Sequence, residues 1–499
     1  MKYVIGVDLG TSAVKILLVN QIGEVVEEVS KPYPLYQEKT GYSEQNPQDW
    51  VDQTITGLSD LLQKFTGDAE DIEGISFSGQ MHGLVLLDTE NEVLRPAILW
   101  NDTRTTAECK QIYEQVGEER LLTITKNPAL EGFTLPKILW VKKHEPEIFK
   151  QAKTFVLPKD YLRYKLTGNI HMDYSDAAGT LLLNVSEKVW SEEICDLVEI
   201  DPTLCPPLIE AFDEVGTITA EMAEKTGLSP STRVFAGGAD NACGAIGAGI
   251  LDDGRTLCSI GTSGVVLSYE KSDDKDFRGK VHYFNHGAPN AYYTMGVTLA
   301  AGYSLSWFKD VFAAEESFDD LLADIQTVPV GSKGLLFTPY LVGERTPYAD
   351  AAIRGSFIGM DGSHRRRDFV RAVLEGITFS LNESIDIFRK NGKQIDTIIS
   401  IGGGAKNSEW LQIQADIFNA KIIKLASEQG PGMGAAMLAA YGCNWFESLK
   451  ECADAFLKEE QTVLPKQENV EKYQQLFNIY QEIYPQTKEI NEQLKAFRD

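Results

Sequence analysis

Cysteine and histidine are scarce in this sequence, and their spacing suits neither a metal site nor a disulfide framework. Seven cysteines and six histidines are scattered over 499 residues, and no two cysteines form a C-x-x-C pair. A zinc site needs closely spaced ligands, and a disulfide framework needs an even, patterned set of cysteines. The sequence therefore gives little support to a metalloenzyme built on these residues and predicts reduced, mostly buried cysteines.

Positive charge and long apolar runs are also scarce. The chain has 47 lysines and arginines against 73 acidic residues, a net charge of −26, and no basic stripe. Surfaces that bind nucleic acid or anionic membranes need such a stripe. The first apolar run stops at Asp8, too early for a signal peptide, and no later run approaches the ~18 residues of a spanning helix. We expect a soluble cytoplasmic protein with no nucleic-acid or membrane partner.

Two common nucleotide-binding fingerprints are missing, yet one glycine-rich tripeptide occurs twice. The sequence has no G-x-x-x-x-G-K-[ST], and no G-x-G-x-x-G in a strand-to-helix setting. Instead, "DLGTSAVK" begins at Asp8 and "SIGTSGVV" begins at Ser259. Backbone N–H groups in a tight glycine turn can bind phosphate, and the Thr and Ser hydroxyls add donors. One such tripeptide is usually an ordinary turn, but one in each half indicates duplicated domains that face one ligand.

Short apolar strands that end in glycine-rich turns alternate with helical stretches, which is typical of an α/β fold. Strand–turn–strand patterns surround both Gly-Thr-Ser tripeptides, and further strand-to-turn junctions are "DIEGISFSGQMHG", "TRVFAGGADN" and "IDTIISIGGGAKN". A fourth turn, "EQGPGMGAAMLAAYG", opens a helix and serves either the nucleoside or close helix packing. The chain is too long for one ordinary core. We expect two domains, residues 1–246 and 247–499, with the boundary at a small-residue helix.

Two aspartates stand beside these turns, and each has two alternative roles. Asp8 can hold Mg²⁺ next to a triphosphate, or it can simply cap the turn. Ser259 takes the same place before the second tripeptide, so only the first half is equipped for a metal. Asp240 can be a helix N-cap, or it can accept the proton of a hydroxyl that attacks phosphorus. A helix N-terminus favours the charged carboxylate, so we expect Asp240 to be ionised and only a modest base.

Several motifs, taken in order along the chain, resemble those of the FGGY carbohydrate kinases. They are "DLGTSAVK", "SGQMHG", "ILWNDTR", "GGADNACGAIG", "SIGTSG", "GERTP" and "IGGGAKN". The resemblance covers essentially the whole chain. It implies duplicated actin-like, ribonuclease H-like domains with ATP and sugar bound in the cleft between them. The pair "GQMHG" and "WNDTR" resembles family members that phosphorylate D-xylulose at its C5 hydroxyl rather than glycerol or gluconate.

The resemblance also implies roles for individual residues. Asp240 corresponds to the catalytic base, and Asp8 to the aspartate that Mg·ATP requires. Residues implied to contact or border the sugar are Met81, His82, Asp102, Phe133, Asp240 and Asn241. Residues implied to bind the nucleotide are Gly10, Thr11, Ser12, Gly261, Thr262, Gly403, Gly404 and Asn407.

Simpler or different interpretations stay open for this set. A lone histidine is more often a surface or core residue than a ligand, but we favour a neutral His82 that hydrogen-bonds sugar hydroxyls; Met81 can also be a packing residue. The substrate can be gluconate, ribulose or another polyol, although an acidic sugar needs a cation that "GQMHG" does not supply. A nucleotide-dependent binding or assembly module is a further alternative. A homodimer is the commonest arrangement for such an enzyme.

Overall fold

The computed structural model describes residues 1–498, which form a chain of alternating strands and helices. The strands of the first half are β1 (Tyr3–Leu9), β2 (Ala13–Asn20), β3 (Val25–Pro32), β4 (Glu44–Gln45), β5 (Ile72–Gly79), β6 (Val85–Leu87), β7 (Ala97–Ile98), β8 (Thr154–Val156), β9 (Met172–Asp173), β10 (Leu183–Asn184), β11 (Val189–Trp190), β12 (Leu208–Ile209), β13 (Glu214–Thr217), β14 (Arg233–Phe235) and β15 (Gly238–Ala239). Those of the second half are β16 (Thr256–Ile260), β17 (Gly264–Glu270), β18 (His282–Asn285), β19 (Tyr292–Thr298), β20 (Leu336–Thr338), β21 (Ser356–Ile358), β22 (Thr397–Gly402), β23 (Lys421–Leu425) and β24 (Glu459–Val463).

The helices lie between these strands and on both faces of the sheets. In the first half they are α1 (Pro47–Lys64), α2 (Thr106–Val116), α3 (Glu118–Thr125), α4 (Thr134–His144), α5 (Pro146–Phe149), α6 (Pro158–Thr167), α7 (Tyr174–Ala178), α8 (Glu192–Leu197), α9 (Ala220–Thr226) and α10 (Asp240–Gly247). In the second half they are α11 (Gly302–Phe312), α12 (Phe318–Leu322), α13 (Arg366–Lys390), α14 (Ser408–Phe418), α15 (Gly430–Gly442), α16 (Leu449–Phe456) and α17 (Gln467–Leu494). None of the helices within residues 1–498 is both long and apolar enough to cross a membrane.

The two large sheets repeat one topology. The first has the strand order β13-β14-β5-β1-β2-β3, and the second has the order β18-β19-β17-β16-β22-β23-β24. In each sheet an antiparallel hairpin, β1–β2 or β16–β17, pairs through its first strand with a parallel strand, β5 or β22. A long helix, α1 or α13, precedes that parallel strand. The prediction of an α/β protein with duplicated actin-like, ribonuclease H-like domains is confirmed.

The Gly-Thr-Ser tripeptides form the turns of the two equivalent hairpins. In the first hairpin Leu9 pairs with Val14 across the turn, and in the second Ile260 pairs with Gly264. The strands around them are rich in β-branched residues and largely buried, which is expected of central strands covered on both faces. The duplicated sheets therefore present the same turn at the same position.

Helix α15 belongs to the second half of the sequence but packs on the first sheet and against α10. The two helices touch through their backbones, because a Cβ on Gly434 would lie 1.8 Å from the Cys243 carbonyl oxygen. A Cβ on Gly247 would likewise lie 2.5 Å from the Gly430 carbonyl oxygen. Of the two interpretations of the fourth glycine-rich turn, the structure favours close helix packing.

A second connection between the halves runs through the insert between β5 and β13. Side chains of this insert, including Met81 and Phe133, share a buried cluster with Phe284 and Tyr293 of the second sheet. The junction of the two halves is therefore lined by residues of both, and the predicted sugar-contacting pair lies at it.

Candidate active site

Strand β1 places Asp8 next to the first Gly-Thr-Ser turn, which is held in a fixed shape. The Gly10 N–H donates to the Ala13 carbonyl oxygen at 3.1 Å, and the Trp100 indole N–H donates to Thr11 Oγ1 at 2.9 Å. The Gln45 side chain donates to the Thr11 carbonyl oxygen at 2.7 Å. These bonds leave the turn ordered before any ligand binds, as a phosphate loop requires.

Asp8 itself is half-buried, and its charge is poorly compensated. Burial raises the pKa of Asp8 to about 6, although the Ser78 hydroxyl and the positive charge of Lys15 act in the opposite direction. Lys15 is partly neutralised because it pairs with Glu28 at 3.3 Å. A nearby cation would stabilise the charged form of this carboxylate, because an opposite charge offsets the cost of burial.

Asp240 is the first residue of α10, directly after the β14–β15 strand junction. Ala239 is the N-cap residue, and the Asp240 side chain makes no capping hydrogen bond; its Oδ1 accepts a bond from the Asn241 side chain at 2.9 Å. Burial raises the pKa of Asp240 to about 7, and the negative charge of Asp8 adds to the increase. The expectation that the helix N-terminus favours the ionised, modest base differs from the structure, because burial and the charge of Asp8 outweigh the helix N-terminus and raise the pKa.

Met81 and His82 follow β5, and Met81 lies beside Asn241, the residue after Asp240. The Met81 sulfur is 3.5 Å from Asn241 Nδ2 and 4.0 Å from the Tyr293 hydroxyl oxygen. Tyr293 belongs to the second sheet, and the charge of Asp240 acts on its hydroxyl. The structure thus brings together the predicted Met81, Asp240 and Asn241 and adds a tyrosine from the other half of the chain.

The bonds of His82 define its tautomer. Its Nδ1 lies 2.7 Å from the Gly179 carbonyl oxygen, which can only accept, so Nδ1 carries the proton and Nε2 is left as an acceptor. Burial lowers the pKa of His82 to about 3, and the charges of Lys137 and Arg345 add to this. The Phe133 ring lies 4.5 Å from the imidazole, centroid to centroid. His82 is therefore a neutral acceptor beside an aromatic wall, which suits a sugar hydroxyl.

This protonation state gives a pH prediction. Because the pKa of His82 is lowered to about 3, its ring stays neutral with the proton on Nδ1 at pH 5, where an ordinary histidine is mostly charged. The measurement is ¹⁵N NMR of protein labelled at the histidine imidazoles, titrated from pH 8 to pH 5, with a His82→Gln sample to identify the signal. A His82 signal that titrates between pH 6 and 7 would contradict the assignment.

Asp102, which is predicted to border the sugar, is hydrogen-bonded to other groups of the protein. Its side chain has no solvent exposure, and its oxygens accept bonds from the Ser43 N–H at 2.6 Å and from the Arg104 guanidinium at 2.7–3.0 Å. Both carboxylate oxygens of Asp102 therefore accept hydrogen bonds, and these bonds hold the loop around Asp102 in place. Trp100 of the same motif is 46% exposed and donates to the Thr11 hydroxyl.

The second Gly-Thr-Ser turn and the turn after β22 line a single cavity of about 350 Å³. Gly261 and Thr262 contribute from the first of these turns, and Gly403, Gly404 and Asn407 contribute from the second. Helices α11 and α12 complete the wall with apolar side chains that include Leu305 and Leu322. Small-ligand sites have volumes of about 300–1,000 Å³, and an apolar wall beside glycine turns suits a nucleoside.

A short segment before α15 links this cavity to Asp8. Glu428 accepts the Gly402 N–H at 2.8 Å at the edge of the cavity turn, and Gln429 accepts the Lys15 side chain at 2.5 Å on the first hairpin. Three residues later, a Cβ on Gly432 would be 3.6 Å from Asp8 Cβ. A chain of five residues spans at most about 18 Å, so the nucleoside cavity and Asp8 are close enough for one nucleotide.

Some residues of this site were missed from the sequence. Trp100 was quoted only as part of a motif, although an exposed tryptophan beside a glycine turn is itself a signal of a binding site. Tyr293 lies in an apolar strand and has no local signal, because its neighbours come from the other half of the chain. Lys137 has no local sequence signal either, and it donates to the His82 carbonyl oxygen at 2.9 Å.

Comparison with known proteins defines the class. The profile for the N-terminal domain of the FGGY family of carbohydrate kinases matches residues 3–247, and that for the C-terminal domain matches residues 256–443. The chain belongs to this family and is therefore a phosphotransferase that acts on a carbohydrate.

The individual relatives are similar over nearly their whole length. The chain is 63% identical over 498 residues to the xylulose kinase of Bacillus subtilis (strain 168), with 100% of both chains covered. The ligand-bound xylulose kinase of Lactobacillus acidophilus has 31% identity and a TM-score of 0.93, with 98% of this chain and 99% of that chain covered. The gluconate kinase of Lactobacillus acidophilus has 31% identity and a TM-score of 0.92, with 97% and 98% covered. The fold alone thus does not distinguish the two sugars.

Proposed function

We propose that this enzyme transfers the γ-phosphoryl group of ATP to the C5 hydroxyl of D-xylulose and releases D-xylulose 5-phosphate. The observation that carries the proposal is the cluster of Asp240, Asn241 and Met81. The Asp240 carboxyl group, whose pKa is raised, contacts the Asn241 amide, and this amide in turn contacts the Met81 sulfur. The identity to a xylulose kinase along the full chain supports the same sugar. Because ATP is the donor, we also propose a cytoplasmic location.

On the sugar side, each residue has a distinct task. His82 Nε2 accepts a bond from one sugar hydroxyl, and the Asn241 amide oxygen accepts from another, since the Asn241 amide nitrogen already donates to Asp240 and Met81. The Phe133 ring and the Met81 side chain form the apolar wall against the carbon skeleton. This arrangement orients one terminal hydroxyl toward Asp240.

On the nucleotide side, the 350 Å³ cavity takes the nucleoside. Asn407 Oδ1 accepts the Trp410 N–H at 3.0 Å, so its amide nitrogen is the group left for the ligand. The phosphates lie between the two Gly-Thr-Ser turns, whose backbone N–H groups bind their oxygens. We place the boundary of the two domains between residues 246 and 247.

A divalent cation fits at Asp8. The carboxylate is half-buried, its pKa is raised, and its negative charge raises that of Asp240, so negative charge is concentrated here without a matching positive charge. Oxygen donors of this kind are the ligands that Mg²⁺ prefers. When bound, Mg²⁺ would neutralise charge on the transferring phosphates.

In the chemical step, the C5 oxygen forms a bond to the γ-phosphorus while the bond from that phosphorus to the bridging oxygen of ADP breaks. The hydroxyl proton moves to the Asp240 carboxylate. With a pKa of about 7, Asp240 is a stronger proton acceptor than an ordinary aspartate and is still substantially ionised at neutral pH.

Replacing Asp8 tests the metal assignment. Asp8→Asn is expected to reduce kcat by about 100-fold or more and to raise the Mg²⁺ concentration for half-maximal rate, because the amide binds a cation poorly. The measurement is the initial rate over a range of Mg²⁺ concentrations at fixed ATP. Ser259→Ala, at the equivalent position of the second hairpin, is the control and is expected to keep the wild-type Mg²⁺ dependence. An Asp8→Asn enzyme with unchanged rate and Mg²⁺ requirement would rule out the role.

A sugar panel tests the substrate. We expect kcat/KM for D-xylulose to exceed that for ribulose, gluconate and glycerol by at least about 100-fold in a coupled assay of ATP consumption. Gluconate is the most informative alternative substrate. Arg345 is close enough to His82 for its positive charge to lower the pKa of His82, and the same charge would attract the carboxylate of gluconate. Preference for gluconate would replace the proposed substrate, and ATP turnover that no sugar stimulates would contradict the proposed reaction.

A further inference from the structure

A buried cluster of charged side chains lies behind the Asp240 turn. The Lys159 ammonium contacts Asp160 at 2.7 Å, Asp173 at 2.6 Å and Asp176 at 2.8 Å, and all four side chains have no solvent exposure. Arg163, equally buried, donates to Asp160 at 3.0 Å. With every group ionised, two positive charges face three negative ones. Burying so many charges is costly, so their retention calls for an explanation beyond stability.

The cluster is not a cation site. The three carboxylates are the group of possible metal ligands that converges within residues 1–498. The point of convergence is occupied, since one ammonium lies within 2.8 Å of an oxygen of each carboxylate. The charges are therefore balanced mainly by Lys159 and Arg163.

Hydrogen bonds connect this cluster to both ends of the turn that precedes Asp240. The Ala239 N–H donates to Ser175 Oγ at 2.9 Å, and the Ser175 hydroxyl in turn donates to Asp173. At the other end, Arg163 Nη1 donates to the Ala236 carbonyl oxygen at 2.6 Å. The residues between, Gly237 and Gly238, have no side chains that could hold the turn by themselves.

The same cluster also supports the sugar-binding side. Lys159 Cβ lies 2.6 Å from where a Cβ on Gly79 would be, and Gly79 is two residues before Met81. Gly79 is paired with Ala239 in the sheet. One rigid set of buried charges thus lies beneath both the strand end that leads to Met81 and the strand that leads to Asp240.

We infer that Lys159, Arg163, Asp173 and Ser175 form an ionic clamp that positions Asp240 for proton transfer, with Ser175 as the link between the buried charges and the backbone of the turn. The inference rests on the proposed role of Asp240 as the base. Buried, mutually paired charges allow few alternative geometries, which is what precise placement of a reacting group requires. These residues touch neither substrate in this arrangement and act through Asp240.

Ser175→Ala removes the link and leaves the charges in place. Because a displacement of about 1 Å at a reacting group can cost about 100-fold, we expect kcat to fall by 10- to 100-fold while the sugar KM changes less than about twofold. Ser332→Ala is the matched control: Ser332 is also buried and donates to a buried carboxylate, Glu375, at 2.9 Å, but outside the site. The control is expected to keep the wild-type kcat. Ser175→Thr restores the hydroxyl and should recover most of the rate.

A double-mutant cycle with Asp240→Asn separates positioning from general structural damage. If Ser175 acts through Asp240, Ser175→Ala has less than about a twofold effect on the residual rate of the Asp240→Asn enzyme, measured by phosphoryl transfer from labelled ATP. An equal loss in both backgrounds, or a Ser175→Ala kcat no lower than that of Ser332→Ala, overturns the inference. Asp240→Asn with normal turnover overturns the proposed base instead. If Ser175→Ala does not fold, Ser175→Cys takes its place, because a thiol has a similar volume and forms only a weak hydrogen bond. Its kcat is then compared in the same two backgrounds and with the same control.

Discussion

Asparagine in place of Asp240 is expected to reduce kcat by about 10³-fold while the enzyme still binds sugar and nucleotide. The substitution keeps the size of the side chain and its contact with Asn241, but it removes the carboxylate that we propose accepts the C5 proton. General base catalysis typically contributes about 10²–10⁴-fold. The remaining rate comes from the positioning of the two substrates, which the variant leaves intact.

The kinetic constants and the binding affinities must be measured separately. Steady-state assays give kcat, and calorimetry gives the dissociation constant of the sugar, which we expect to change less than about threefold. Asp213→Asn, in the same half of the chain but outside the proposed site, is a suitable control and should show wild-type turnover. Near-normal turnover in Asp240→Asn would remove the base from the mechanism, whereas loss of sugar binding would make Asp240 a binding residue.

Replacing Lys159 by methionine is expected to lower the free energy of unfolding by about 3–5 kcal/mol. The variant leaves the carboxylates of Asp160, Asp173 and Asp176 buried, with Arg163 as their remaining cation in the cluster. Removing one partner from a buried ion pair costs this much because the other charges stay desolvated. Denaturation in urea gives the free energy, and Lys150→Met, which removes an exposed ion pair with Glu147, should change it little. A Lys159→Met enzyme as stable as the wild type would contradict the electrostatic description of the cluster.

The same variant has a predictable pH dependence. Burial lowers the pKa of Lys159, but the three carboxylates outweigh burial and raise it above its usual value, so its stabilising charge is present throughout pH 5–8. Burial already raises the pKa of Asp176 well above its usual value while the charge of Lys159 opposes the increase, so without Lys159 the pKa of Asp176 rises further. Groups with a raised folded pKa favour the folded state at low pH and lose that contribution as the pH rises. The stability difference from the wild type is therefore expected to be smaller at pH 5 than at pH 8.

The sequence was most informative where local chemistry determines the structure. The two Gly-Thr-Ser turns and their flanking strands could be located because turn residues between β-branched runs define a hairpin without reference to the rest of the chain. The duplication of the sheets followed from the same two patterns. The contact of Met81 with Asn241 could be expected only from family resemblance, since nothing local connects the two segments.

The properties that were wrong or missed depend on residues distant in the sequence. Asp240 stands at a helix N-terminus, but its pKa is set by burial and by Asp8, which comes from the first strand. Asp102 is exposed to no solvent because Ser43 and Arg104 fold around it. The effect on Asp240 has no signature within a window of neighbouring residues, whereas the bonds of Asp102 come partly from Arg104, two residues away. The buried cluster around Lys159 is different, because its acidic partners lie on α6 and at the start of α7, all within 17 residues of Lys159.

The direct backbone contact between α10 and α15 has a consequence for the spacing of Asp8 and Asp240. Helix α10 begins with Asp240, and the start of α15 lies beside Asp8, so one crossing sets the distance between the two aspartates. Side-chain ridges that interlock normally restrict packed helices to a few angles. Where Gly434 meets the Cys243 carbonyl oxygen, no side chain intervenes, so the two helix backbones touch directly and lie closer than interlocked ridges would allow. A side chain at position 434 would therefore separate α10, which begins with the proposed base Asp240, from the helix that packs on β1 and Asp8.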